Sequence, residues 1–128
     1  MKEIMAIIRM NKIGATKKAL VDMGIDSMTA RKVLGRGKMK NLLTITENLD
    51  DATKTEVLGQ IAEGLSEGSR LVPKRMLTIV VHDDQVKKTI DTIIKVNQEG
   101  NSGDGKIFVL PVSDAVTVRT ETRGEEAI

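Results

Sequence analysis

Gly103-Asp104-Gly105-Lys106 is the stretch of this chain whose residue types best suit chemistry. Glycine has no Cβ, so backbone N–H groups on either side of it can close on an anion. A lysine beside such a turn supplies a point charge for a phosphate. The turn runs directly into Ile107-Phe108-Val109-Leu110, which is short and apolar enough to be a strand. Taken alone, the four residues also suit a plain turn, because Gly and Asp gather wherever a chain reverses. A second group of glycines and cations, Gly35-Arg36-Gly37-Lys38 with Lys40, follows a possible strand, and Lys74 stands beside Pro73.

Other chemistries are excluded by what the chain lacks. It has no cysteine, which removes disulfides, thiolate metal sites and cysteine nucleophiles. His82 is the single histidine, too few for an imidazole metal cluster or a Ser/His arrangement, and it is expected at the surface at a strand end. A formal net charge of +2 argues against a nucleic-acid wrapper or a polybasic membrane binder. Phe108 is the only aromatic residue, so no stacking platform for bases can be built. No segment is apolar and long enough to span a bilayer, and Met1-Lys2-Glu3 leads straight into a strand-like segment. A cytoplasmic location without stable membrane insertion is the expectation.

The elements that must position the turn can be read in order. At 128 residues one domain, 1–128, is expected, with a core of Ile, Leu, Val and Met. Ile4 to Ile8 predicts strand one. Ala15 to Met23 predicts a helix with Ala15, Ala19, Leu20 and Met23 inward and Gly24 as its stop. Ser27 to Leu34 suits a strand, with a helical alternative. Residues 38–72 form a long excursion. Asn48, Asp50 and Asp51 are turn or cap residues within it, and a marginal helix from Thr53 carries Val57, Leu58, Ile61 and Leu65 at helical spacing. That apolar face either packs on the chain's own assembly or is held for a partner groove. Met76 to Val81 is the clearest strand and Val86 to Val96 the best helix. Ile107 to Val112 follows as a strand, then Ala115 to Arg119 as a short edge strand, and residues 120–128 as a polar tail. The order is βαββαβ, an α+β ferredoxin-like arrangement.

Several segments together resemble the PII family of nitrogen-regulatory signal-transduction proteins. Met1 to Arg9 is similar to its opening strand, Gly35-Arg36-Gly37-Lys38 to the start of its T-loop, and Gly100 with Gly103 to Val109 to its C-terminal signature. Leu71 to Lys74, Val80 to Asp84 and Asp91 to Ile94 lie in family order between them. The resemblance implies a non-catalytic trimer that binds ATP or ADP in clefts between subunits and, with Mg-ATP, 2-oxoglutarate. Nucleotide contacts are then implied for Ile7, Thr29, Gly35, Arg36, Gly37, Lys38, Gly103, Asp104, Gly105, Lys106 and Arg119. Gly37, Met39, Lys40 and Lys74 are implied for 2-oxoglutarate, with Mg carried by the two ligands.

The chain also departs from the family pattern. Met39 replaces the usual glutamine and Thr117 a usual arginine, and the chain has no tyrosine to modify. An enlarged T-loop without tyrosine is similar to the PII proteins encoded among nitrogen-fixation genes of methanogenic archaea. That similarity implies a pair of paralogues, as homotrimer or hetero-oligomer, that bind a nitrogenase component and inhibit it when fixed nitrogen is plentiful. Val57, Leu58, Ile61 and Leu65 would then be partner-binding. Alternatives are an ammonium transporter or glutamine synthetase as target, or a small phosphate-handling enzyme on the same fold.

Overall fold

Strand β1 (Lys2–Arg9) has the alternation of a strand with one covered face: Ile4, Ala6 and Ile8 are buried and the residues between them only partly so. It is hydrogen-bonded on both sides, antiparallel to β3 (Val72–Val81) and to β4 (Gly105–Pro111). With β2 (Thr29–Gly35), the described residues make a four-stranded sheet in the order β2-β3-β1-β4. Helix α1 (Ile13–Asp22) joins β1 to β2, and α2 (Val86–Asn97) joins β3 to β4. This is the ferredoxin-like βαββαβ arrangement. The structure is a computed structural model and describes residues 1–37, 50–56, 58–59 and 71–128.

The core lies between the sheet and the helices. Ile4, Ala6, Ile8, Leu77, Ile79 and Val81 meet Leu20 of α1 and Ile93 of α2 there. Leu20 is buried and Met23 packs against the core as expected, but Ala15 is exposed and Thr16 is buried in its place. Thr16 is tolerated inside because its hydroxyl donates to the Lys12 carbonyl (2.8 Å) and accepts from Nδ2 of buried Asn97 (2.9 Å). That amide also donates to the Ile93 carbonyl at 2.9 Å. A polar pair therefore crosses from α1 to α2 inside an aliphatic core. Helix α1 ends as expected at Gly24 (φ +89°), with Gly24 N–H on Val21 and Ile25 N–H on Leu20, both at 2.9 Å.

The expected last edge strand, Ala115 to Arg119, is reduced to a single bridge between Val116 and Arg123. Its alternating valines pair with neither edge of the four-stranded sheet, and Val118 is 94% exposed. The segment instead turns back on itself, with the Glu121 N–H donating to the Thr117 carbonyl (2.8 Å) and the Thr117 hydroxyl to the Ala127 carbonyl (3.3 Å). Residues 120–128 are folded too. A helical turn, Gly124–Ala127, sets Glu125 against the Met1 ammonium (2.8 Å) and beside His82 Nδ1.

Leu34–Val72 forms a compact unit separate from the rest of the chain. Within it residues 51–56 are helical. Asp50 caps that helix: its carboxylate accepts from the Thr53 N–H at 3.2 Å, and the Thr53 side chain, followed by that N–H, holds its carboxyl below the ordinary value. Leu58 is exposed; Val57, Ile61 and Leu65 lie outside the described residues.

Candidate functional site

Strand register decides which side chains share a surface. Ile7 stands opposite Met76 and Lys106, and Arg9 opposite Lys74. Ile4, Ala6 and Ile8 point to the helices, so Ile7, Arg9, Lys74, Met76 and Lys106 lie on the other face of the sheet. Three cations thus gather at the sheet end where β4 begins, and Gly103-Asp104-Gly105 closes that end.

Asp104 organises the turn from within. Its carboxylate accepts the N–H groups of Glu99 (2.8 Å) and Asn101 (3.2 Å), and Arg9 Nη2 reaches its other oxygen at 3.3 Å. The Glu99 N–H, with Asn101, Arg9 and Gly100, holds the carboxyl below its ordinary value against the opposing effect of burial. Arg9 Nη2 also donates to the Ser102 carbonyl at 3.0 Å, and Lys74 Nζ to the Gly103 carbonyl at 2.7 Å. Burial and the charge of Arg9 push the Lys74 ammonium below its usual value, and Asp104 opposes them. Asp104 is therefore a structural anion of the turn, and Arg9 and Lys74 brace it from β1 and β3.

Glycine is required at the two flanking positions for different reasons. Gly103 has φ +93°, and a Cβ there would stand 3.4 Å from Lys74 Nζ and 3.5 Å from Arg9 Nη2. At Gly105 (φ +134°) a Cβ would fall 2.4 Å from the Ile7 carbonyl oxygen, so the turn lies directly against β1. An exposed Lys106 follows at the strand's start. Glycine backbone, Lys106 and two braced cations suit an oxyanion such as a phosphate. An apolar groove of about 440 Å³ runs between α2 and β4, past Ile90, Ile94, Ile107 and Val109, and ends at Asp104–Lys106. Its apolar lining is on the helix side, so the charged chemistry belongs to the opposite face.

Ile7, Lys74, Gly103, Asp104, Gly105 and Lys106 are brought together within one chain. Thr29 begins β2, at the other edge of the sheet and three strand spacings (~14 Å) from β4. Arg119 is exposed in a segment anchored at the opposite end of β1, where Glu125 meets Met1. Thr117 is engaged by the Ala127 carbonyl. Gly35 ends β2, and Arg36 and Gly37 are exposed beyond it. Lys38, Met39 and Lys40 lie outside the described residues. Sequence reasoning missed Arg9. Its signal was a cation at the end of a strand, but its partners, Ser102 and Asp104, are more than ninety positions away.

A family profile described as "Nitrogen regulatory protein P-II" matches residues 1–122. A Methanococcus maripaludis protein named "Nitrogen fixation nifHD region glnB-like protein 2" is 45% identical over 128 residues, covering 100% of both chains. The protein of that name from Methanobacterium ivanovii is 47% identical, over 100% of this chain and 99% of its own. A "glnB-like protein 1" from M. maripaludis is 36% identical over 97% and 99%. Among solved structures, the PII protein of Arabidopsis thaliana bound to citrate superposes with a TM-score of 0.70 at 34% identity, covering 98% of this chain and 87% of that one.

Proposed function

Because the chain belongs to the nitrogen regulatory protein P-II family, we propose that it is a non-enzymatic sensor that binds ATP or ADP and 2-oxoglutarate and inhibits a nitrogenase component by direct contact when fixed nitrogen is plentiful. The observation that carries this reading is the convergence of Arg9, Lys74 and Lys106 on the glycine-walled turn at Gly103–Gly105. The backbone of Gly103 to Gly105 and the Lys106 ammonium hold the phosphates. Ile7 lies on the same face, beside the base. Thr29 and Arg119 stand away from this turn and come from a neighbouring subunit, while Gly35, Arg36, Gly37 and Lys38 close the nucleotide site at the base of the T-loop. Lys74 is assigned to a carboxylate of 2-oxoglutarate, and Gly37, Met39 and Lys40 to contacts with the same ligand. Among the described residues no group of three carboxylate or imidazole side chains could hold a metal ion. The Mg ion is carried by oxygens of the two ligands.

An intersubunit cleft needs an assembly. The sheet face away from the helices leaves Val80, Phe108 and Leu110 more than a third exposed. Covering it in a trimer, with copies of this chain or a paralogue, removes that apolar surface from water. The nitrogen-fixation region in the relatives' names, and the existence of numbered proteins 1 and 2, support the target and a paralogous partner. The message passes through residues 38–72, and Val57, Leu58, Ile61 and Leu65 are the residues assigned to binding the target. Ligands shift that segment only by binding its alternative states unequally, and the coupling is reciprocal. Among the described residues no helix is long and apolar enough to cross a membrane, and the proposed target is a cytoplasmic enzyme.

Isothermal titration tests this reading. Little 2-oxoglutarate should bind without Mg-ATP and much more with it; equal binding in both conditions rejects the sensor. A pull-down from nitrogen-replete cells should recover a nitrogenase component and lose it when 2-oxoglutarate is added.

A further inference from the structure

The Gly103 carbonyl is the part of the turn that faces β3, and Lys74 Nζ donates to it at 2.7 Å. A peptide unit is planar, so fixing that oxygen also fixes the Asp104 N–H on the other side of the same plane. That N–H points to the Asn101 carbonyl at 3.3 Å, a long hydrogen bond that would orient the unit poorly by itself. The lysine is not free to swing away cheaply. Its cross-strand partner is Arg9, a like charge, and Arg9 is held in place by Ser102 and Asp104. On the turn's side, a Cβ at Gly103 would meet Nζ only at ordinary contact distance, 3.4 Å.

We propose that Lys74 is a positioning residue for the nucleotide's phosphate turn, separate from any contact it makes with a dicarboxylate. By holding the Gly103 carbonyl, it fixes the Gly103–Asp104 peptide plane, and with it the backbone path of the turn that meets the phosphate. This rests on the nucleotide reading given above, and it assigns to the turn a side chain that arrives from β3, 29 positions earlier in the chain.

The test uses Lys74→Met, which keeps the length and loses the donor, and Lys74→Arg, which keeps a charged donor. ATP binding is measured by calorimetry with no 2-oxoglutarate present, at low and at high salt. Lys74→Met should bind ATP roughly tenfold more weakly, the worth of about one hydrogen bond, and Lys74→Arg should recover most of that loss. The deficit should persist at high salt, because it comes from geometry. A deficit that vanishes at high salt means that Lys74 acts only as a charge, and it overturns the proposal. So does unchanged ATP affinity in Lys74→Met when the parent protein binds ATP. Amide hydrogen exchange of residues 99–105 without any ligand gives an independent arm. It should speed up in Lys74→Met while exchange in β1 stays the same. Faster exchange in a protein that binds no ATP rejects the nucleotide reading and leaves the bracing role standing; unchanged exchange removes that role.

Discussion

Arg9 and Lys74 face each other across β1 and β3, two cations in register, and each is turned toward the same short loop. Like charges directly opposite on a sheet are unfavourable by themselves. Here Asp104 lies against Arg9, and the carbonyls of Ser102 and Gly103 accept from the pair. The loop is therefore held by charges that an incoming anion can also use.

Lys106 is the cation next to the turn with the fewest structural duties. Lys106→Ala should weaken ATP binding by roughly 10- to 100-fold, the worth of a charge-assisted hydrogen bond, with little change in melting temperature. Calorimetry decides it, and an unaltered affinity removes Lys106 from the site.

Gly105→Ala puts a methyl group 2.4 Å from the Ile7 carbonyl oxygen at φ +134°, so the two strands must separate locally. A loss of about 2–4 kcal/mol in urea unfolding is expected. Gly103→Ala has backbone strain but only ordinary contacts, and should cost about 1–2 kcal/mol. Equal costs would contradict the close approach of the turn to β1.

Asp104 makes the turn acid-sensitive. Its folded-state carboxyl titrates below the unfolded value, chiefly because the Glu99 N–H bonds to the charged form. The stability it contributes is therefore fully present above about pH 4, the unfolded value, and disappears as pH falls through its depressed folded value. Asp104→Asn should be less stable than the parent at pH 7, and the difference should shrink as the pH drops below 4. Unfolding curves from pH 7 to pH 2 measure it; a gap independent of pH would rule out the carboxylate as its source.

Thr16 and Asn97 form a pair that can be tested by a double-mutant cycle. Asn97→Leu leaves the Thr16 oxygen and the Ile93 carbonyl without this donor and should cost about 1–3 kcal/mol. Thr16→Val combined with Asn97→Leu should cost less than the sum, with a coupling of about 0.5–2 kcal/mol. Strict additivity would mean that the contact contributes nothing.

Much of the fold is legible in the sequence because period-two and helical patterns mark the strands and helices directly. Ile4, Ala6 and Ile8, or Val86, Ile90 and Ile93, are apolar at the spacing their elements require. The inner face of α1 is legible at Leu20 and Met23 but not in its first turn, because buried Thr16 looks polar and only its contact with Asn97, 81 residues later, makes it an inside residue. The C-terminal strand fails in the opposite way. Val116 and Val118 alternate, but alternation makes a strand only where the segment pairs with another, and here Val116 makes one isolated bridge, to Arg123. At the site, Gly103 to Lys106 stand out locally, whereas Arg9 acquires its role only once register sets it opposite Lys74 and next to the turn.

Phe108 is the chain's single Phe, Tyr or Trp residue, and it is 45% exposed on the sheet face turned away from the helices. The chain therefore has no tryptophan or tyrosine fluorescence with which to follow its behaviour. It carries instead one spectroscopic label of its own, sited on the surface that assembly would cover. Apart from the two carbon-bound imidazole protons of His82, the five ring protons of Phe108 are the chain's only carbon-bound aromatic protons, and their shifts and linewidths report directly whether that face meets water or another subunit.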